Sequence, residues 1–221
     1  MNAIATFQRG AITIHAIPVL DDNLVYLVCR EDATLLVDAG EAAPVKAMLK
    51  RGRLRLAGIL ITHRHGDHTG GLSELQPLVC SSATVASVHT ISVPGHTPDD
   101  LAFHLPEAGV VFTGDALING ACGRIPSDDA AAILYESLQR LRALPDDTLV
   151  LGGHDYLQEN MRFALAENPA LTAARERLER YRIDAAGAIF ATLAGENSTN
   201  PFLRSANAAD FARLRHRKDR F

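Results

Sequence analysis

The chain has 221 residues, of which 47% are hydrophobic and 22% charged, and a formal net charge of −4. That length and apolar content support one large domain, or one domain with a small appendage, around a packed core. The charge balance gives no global case for nucleic acid or an anionic membrane as partner, and no apolar run is long enough to span a bilayer. Cys29, Cys80 and Cys122 are odd in number, far apart and without a C-x-x-C. They form no disulfide framework and suit a reducing compartment. The first twenty residues lack a basic start followed by a long apolar core, so a cytoplasmic location is expected. Oligomeric state is not legible, and a monomer is compatible with the sequence.

In chain order, residues 12–17, 24–29 and 34–37 read as strands of an antiparallel meander, with turns at Asp21-Asp22-Asn23 and Arg30-Glu31-Asp32. Asp38-Ala39-Gly40 closes the third strand. Residues 42–51 are helical, with Pro44 in the tolerant first turn. Strands and helices then alternate. Residues 58–61 form a buried strand, a helix begins in 70–75, residues 84–93 are extended, and 101–105 and 110–113 are strands. The period over 128–143 predicts a helix whose buried face carries Ile133, Leu134, Leu138 and Leu141. Residues 148–151 form another strand. Helices are expected over 156–167, 170–186 and 207–217, with a turn-rich link at 195–200. The domain reading is 1–160 for the catalytic part and 161–221 for a small helical domain.

Four of the apolar runs end in the same way. Ile61 is followed by His63, Val93 by His96, Phe112 by Asp115 and Leu151 by His154, each across Gly, Pro or a short polar step. Strand ends of one sheet can converge on a single edge, which is where ligands sit in open α/β sheets. The densest stretch is Thr62-His63-Arg64-His65-Gly66-Asp67-His68, with three histidines and a carboxylate within six residues. Imidazole and carboxylate donors at this density point to metal. His63 and His65 can face one ion, and Asp67 and His68 a second. His96, Asp115 and His154 add distant donors. Seven donors exceed one four-coordinate site and suit two divalent ions. Zinc is the first choice, and iron or manganese also fit these donors. Two ions sharing a water would lower its pKa and stabilise an oxyanion. A serine or cysteine nucleophile is disfavoured: there is no G-x-S-x-G, and no cysteine sits in a nucleophile context. His15, His89 and His104 lie in strands and read as structural or surface residues, and His216 lies in a basic tail.

These motifs resemble the metallo-β-lactamase superfamily: the 63–68 cluster, Gly95-His96-Thr97, Gly114-Asp115 and Gly153-His154 follow its ligand motifs in order. The resemblance implies an α/β fold, an αββα sandwich with the site at one edge. It also implies that His63, His65 and His96 hold one ion, that Asp67, His68 and His154 hold the other, and that Asp115 bridges. Within the superfamily the chain is similar to the glyoxalase II (hydroxyacylglutathione hydrolase) family. Asp22-Asn23, Cys122-Gly123-Arg124, His154-Asp155-Tyr156, Asn200-Pro201-Phe202-Leu203-Arg204 and the ending 214–219 carry this resemblance over nearly the whole chain.

The family resemblance implies hydrolysis of a glutathione thioester such as S-lactoylglutathione, a step of methylglyoxal detoxification, with Asp67 and Asp115 as catalytic carboxylates. It implies that Arg124, Tyr156, Arg215 and Lys218 hold the glutathione moiety, whose carboxylates suit Arg and Lys. Three departures accompany it. The interval from His68 to His96 is short. Pro98-Asp99-Asp100-Leu101 replaces the usual Gly-His-Ile run. Ile125-Pro126-Ser127 stands where an aromatic pair is usual. The alternatives are a mononuclear iron persulfide dioxygenase, another hydrolase of the fold such as a lactonase, and a non-catalytic binding protein.

Overall fold

The computed structural model describes residues 3–31, 33–79 and 85–221. It opens with a meander: β1 (Ala5–Arg9), β2 (Ile12–Val19), β3 (Asn23–Arg30) and β4 (Ala33–Val37), each antiparallel to the next. The alternation of side chains explains why these strands lie inside a sandwich. In β3, Leu24, Tyr26 and Val28 enter the core between the sheets, while Val25, Leu27 and Cys29 face the other way, so both faces are buried. Helix α1 (Ala42–Gly52) covers the outer face through Val45, Met48 and Leu49, and returns the chain to β5 (Arg55–Leu60), parallel to β4. The first sheet has the order β1-β2-β3-β4-β5.

The short helices α2 (Gly66–Thr69) and α3 (Leu72–Leu75) follow, where one helix start was expected. Next come β6 (His89–Ser92), β7 (Leu101–Leu105), β8 (Val110–Gly114), α4 (Asp128–Arg142) and β9 (Leu149–Gly152). Of the extended run expected over 84–93, only 89–92 is strand, and Thr84 and Cys80 lie outside the described residues. In α4, Ser127 caps the N-terminus by accepting from the Ala130 N–H. Leu134, Leu138 and Leu141 are fully buried, each contributing about 1.5–3 kcal/mol by burial. Ile133 is 47% exposed. It lies one step off the 134/138/141 stripe, so the buried face is narrower than the period alone indicates.

The C-terminal segment holds α5 (Leu157–Glu167), α6 (Thr172–Ile183), α7 (Ala185–Ile189), β10 (Ala191–Thr192), α8 (Leu193–Thr199) and α9 (Ala208–Lys218). The expected 170–186 helix breaks at Asp184, whose carboxylate caps α7, and the expected link at 195–200 is mostly helix α8. β10, not anticipated, pairs with β9 and makes the second sheet β10-β9-β8-β7-β6. This segment shares the core of the rest. Met161, Ala164 and Leu178 pack among inter-sheet residues, and Phe163, Phe202 and Phe211 join Leu134 and Leu138 outside the second sheet. A buried ion pair, Arg177–Glu196 at 2.7 Å, braces it, and Glu196 also accepts from the Gly120 N–H. The layers are helix, sheet, sheet, helix. No helix among the described residues is long and apolar enough to cross a membrane.

Candidate metal centre and substrate cavity

The seven expected donors meet at the edge between the two sheets. The picture of strand ends from one sheet needs correction here. The 63–68 loop leaves β5 of the first sheet, whereas His96, Asp115 and His154 follow strands of the second. The sheets are tied at this edge by the Leu101 N–H donating to the Thr62 carbonyl at 2.8 Å. Gly114, at φ +49°, lets β8 turn there, and a Cβ would lie 2.5 Å from Thr62 Oγ1.

Donor atoms gather in overlapping groups: His63, His65 and His96; Asp67, His68 and His154; and Asp115 with His63 and His68. His65 Nδ1 lies 3.1 Å from His63 Nε2 and 3.0 Å from His96 Nε2. In the other group, His154 Nε2 is 3.4 Å from both His68 Nε2 and Asp67 Oδ2. Asp115 stands between them. Its Oδ2 is 3.6 Å from His96 Nε2, and its Oδ1 is 3.5 and 3.4 Å from Nε2 of His68 and His154.

These residues fit a pair of divalent cations on their own chemistry. His68 Nδ1 donates to Asp38 Oδ2, His154 Nδ1 to Asp22 Oδ1, both at 2.8 Å, and His96 Nδ1 to the Arg124 carbonyl at 2.8 Å. That choice of partner leaves each Nε2 as a lone pair aimed inward. Facing lone pairs repel unless a cation lies between them. Asp115 Oδ1 is buried without a hydrogen-bond partner, and a Cβ on Gly153 would intrude to 2.7 Å from it.

Protonation shows the same demand for positive charge. Burial alone would lower His68, but the neighbouring carboxylates of Asp115 and Asp38 lift it to about 10. His154 is raised likewise against its burial by Asp115 and Asp22. Burial and the charge on His68 push His63 down to about 3. Burial would raise Asp115, yet His154 and His68 hold it well below the usual carboxylate range.

Beside this centre opens a cavity of about 740 Å³. Arg124, Tyr156, Arg215 and Lys218 all line it, with His96 and Asp115 at its inner end. Arg215 is 4% exposed, donates to the Cys122 carbonyl at 2.9 Å and to Asp219 at 2.8 Å, and keeps Nε without a partner. Lys218 sits on the next turn, its ammonium depressed by burial and by Arg215. Arg162 and Glu159 of α5 complete the charged wall.

Several contributing residues were not among the expected ones. Asp38 adopts φ +59°, an unusual conformation for a non-glycine residue, and its carboxylate accepts from the Thr62 N–H, Thr62 Oγ1 and His68 Nδ1, each at 2.8 Å. Asn23 Nδ2 donates to Asp67 Oδ2 at 2.9 Å. Asp22 and Asp38 read in the sequence as turn residues; the available signal was that each sits at the end of a buried apolar strand. Arg162 and Glu159 were not singled out as cavity residues in the sequence.

Comparison with known proteins agrees with this arrangement. The sequence model of the metallo-beta-lactamase superfamily matches residues 19–79 and 77–154, and that of the hydroxyacylglutathione hydrolase C-terminus matches residues 155–221. The hydroxyacylglutathione hydrolase of Chromohalobacter salexigens is 37% identical over 256 residues, covering 95% of this chain and 100% of that one. That of Fuscovulum blasticum is 37% identical over 260 residues, covering 96% and 100%. Both alignments are longer than 221 residues, so these relatives carry stretches that this chain lacks. Among solved structures, the BLEG-1 B3 metallo-beta-lactamase superposes with TM-score 0.64 at 19% identity, covering 86% of this chain and 99% of that one. ETHE1 from Myxococcus xanthus superposes with TM-score 0.64 at 24% identity, covering 90% and 89%. These two show a shared fold. The family models and the full-length relatives together place the chain: it belongs to the hydroxyacylglutathione hydrolase family of the metallo-β-lactamase superfamily.

Proposed function

We propose that the chain hydrolyses S-acylglutathione thioesters such as S-lactoylglutathione to a hydroxy acid and glutathione, in the cytoplasm, as part of methylglyoxal detoxification. The observation that carries this reading is the position of Asp115. Its carboxylate spans two His/Asp clusters at the inner end of a cationic cavity, on a chain of this family. His63, His65 and His96 would hold one divalent ion and Asp67, His68 and His154 the other, with Asp115 standing between the two groups. Zinc is the first choice of metal, with iron and manganese compatible with the same donors. When bound, the ions supply a water of lowered pKa and polarise the thioester carbonyl.

The chain's own side chains do the rest. Arg124, Arg215 and Lys218 pair with the carboxylates of the glutathione moiety, and Glu159 offers its ammonium a partner. Residues 161–221 supply Arg162, Arg215 and Lys218 to one cavity wall, so this segment acts as the glutathione-binding part of the molecule. The cavity directs the thioester carbonyl to Asp115 and the histidines around it. Asp67, oriented by Asn23, takes the proton released as water oxygen bonds to the carbonyl carbon. The C–S bond then breaks, and its electron pair leaves on sulfur as thiolate, a good leaving group that needs no strong acid. A monomer is compatible with this reading. The intact Asp67–His68–His154 cluster and the match over 155–221 favour the thioester over a mononuclear iron dioxygenase or a lactonase.

The test is thiol release from S-lactoylglutathione by purified protein of known metal content. Protein with two ions bound that leaves the thioester intact, or that prefers a lactone to it, would defeat the proposal.

A further inference from the structure

The two cations that α9 brings to the cavity, Arg215 and Lys218, both sit on aromatic rings, and the rings form a ladder. Phe211 meets Phe202 edge to face with centroids 5.5 Å apart, Phe202 stacks on Phe163 at 5.9 Å and 19°, and Phe163 meets Phe221 edge to face at 5.5 Å. The Arg215 guanidinium lies 5.2 Å from the Phe202 centroid. The Lys218 ammonium lies 5.5 Å from the Phe163 centroid and 5.7 Å from that of Phe221. Phe211, Phe202 and Phe163 are core, none more than 1% exposed. Phe221 is 64% exposed and lines the cavity. The turn after α9 puts it there, with the Phe221 N–H donating to the Lys218 carbonyl at 3.3 Å. A ring left that open gains little from burial, so packing does not account for its place.

We infer that Phe221, with Phe163 behind it, seats the Lys218 ammonium for a ligand carboxylate and is a positioning residue for substrate. The two α9 cations differ in what already holds them. Arg215 donates to Asp219 and to the Cys122 carbonyl. Among the described residues no carboxylate comes within ion-pairing distance of Lys218, and Asp219, next to it in the chain, is taken by Arg215. A half-buried ammonium still needs compensation for the water it has lost. The faces of two rings supply part of it through their quadrupoles. A carboxylate in the same place would neutralise the charge and compete with the ligand. The rings hold the ammonium while leaving its charge and its donors free. They also restrain a long, flexible stem in advance, which lowers the cost of ordering it when a ligand carboxylate arrives.

The identity of the ligand rests on the glutathione reading above; the seat itself does not. The seat is read by NMR on the ligand-free full chain. Lys46, Lys50 and Lys218 are the lysines of the sequence, and Lys218→Met assigns the Lys218 signals by their loss. The Lys218 ε-methylene protons should lie upfield of the other two sets, shielded by the ring faces. They should move back toward them in Phe221→Leu, which keeps the apolar bulk. Steady-state kinetics of the metal-loaded chain on S-lactoylglutathione read the role. Phe221→Leu should raise KM about two- to fivefold, the value of one cation–π contact at an exposed site, with kcat unchanged. Phe221→Trp should restore KM. On a Lys218→Met background, Phe221→Leu should add nothing. Lys218 signals that stay in place in Phe221→Leu would overturn the seat. An unchanged KM, a kcat that falls alongside, or the same rise in KM on the Lys218→Met background would overturn the positioning role, the last by showing that the ring acts without the lysine. Wild-type protein with both ions bound that leaves S-lactoylglutathione intact would count against the glutathione reading and the positioning role, with the NMR comparison still deciding the seat.

Discussion

The metal centre and the cavity beside it are built on opposite plans. At the centre, four of seven donors come from one six-residue loop, and His68, His96 and His154 are each set by a carboxylate or a carbonyl. The cavity wall is assembled from the 122–124 loop, α5 and α9, and its principal cation also holds the structure together. Arg215 fastens α9 to the Cys122 carbonyl across 93 positions of sequence. In the centre, chemistry and architecture are separable, because removing one imidazole leaves its neighbours anchored. In the wall they are not.

Substitutions should expose that difference. His65→Ala should lower kcat by about three orders of magnitude, the scale seen when a charge-stabilising group is lost, with urea midpoints of the metal-free protein barely moved. Steady-state kinetics, metal counting and denaturant titration check the three parts. Glu196→Ala should do the reverse. It strands the buried Arg177 guanidinium and the Gly120 N–H, and should cost about 3–5 kcal/mol in urea unfolding.

Arg215→Ala should show both effects, a raised KM for a glutathione thioester and a lowered unfolding midpoint. Lys218→Ala should raise KM about tenfold, the value of one charge-assisted hydrogen bond, with little change in stability or kcat. If Lys218→Ala disturbed folding as much as Arg215→Ala, the distinction between anchor and contact within the wall would fail.

The smallest effect concerns pH. Burial raises the Cys122 thiol from 9.0 to about 11. The folded state therefore holds this proton more tightly than the unfolded state. The corresponding stability is complete below about pH 9 and is lost as pH rises toward 11, by up to about 2–3 kcal/mol. Unfolding at pH 8 and 10.5 should show a smaller drop in Cys122→Ala, and iodoacetamide should label Cys122 in the folded protein far more slowly than in urea.

The two plans also explain what was legible in the sequence. His63, His65, Asp67 and His68 announce themselves because a local loop must carry unlike donors at close spacing. His96, Asp115 and His154 are readable because each stands where an apolar run stops. The sandwich was legible through the resemblance of the motifs, while the apolar strand runs and the stripe on α4 supplied only its pieces. The positions of Asp22 and Asp38 were not, since an Asp in a turn has the same local appearance whether it caps a backbone N–H or orients an imidazole 30 or 132 residues away. Arg162 and Glu159 were hidden because a charged residue on an amphipathic helix reads as solvated until the neighbouring wall is known. Ile133 was misplaced for a related reason: a period defines a direction, and the width of the buried stripe depends on what packs against it. β10, two residues long, exists only because β9 offers it an edge.

The most direct test of the whole account is thiol release from S-lactoylglutathione as zinc is added back to metal-stripped protein. The account predicts no turnover without metal, and activity that climbs until two ions are bound per chain. Activity indifferent to metal, or absent with both ions in place, would contradict it.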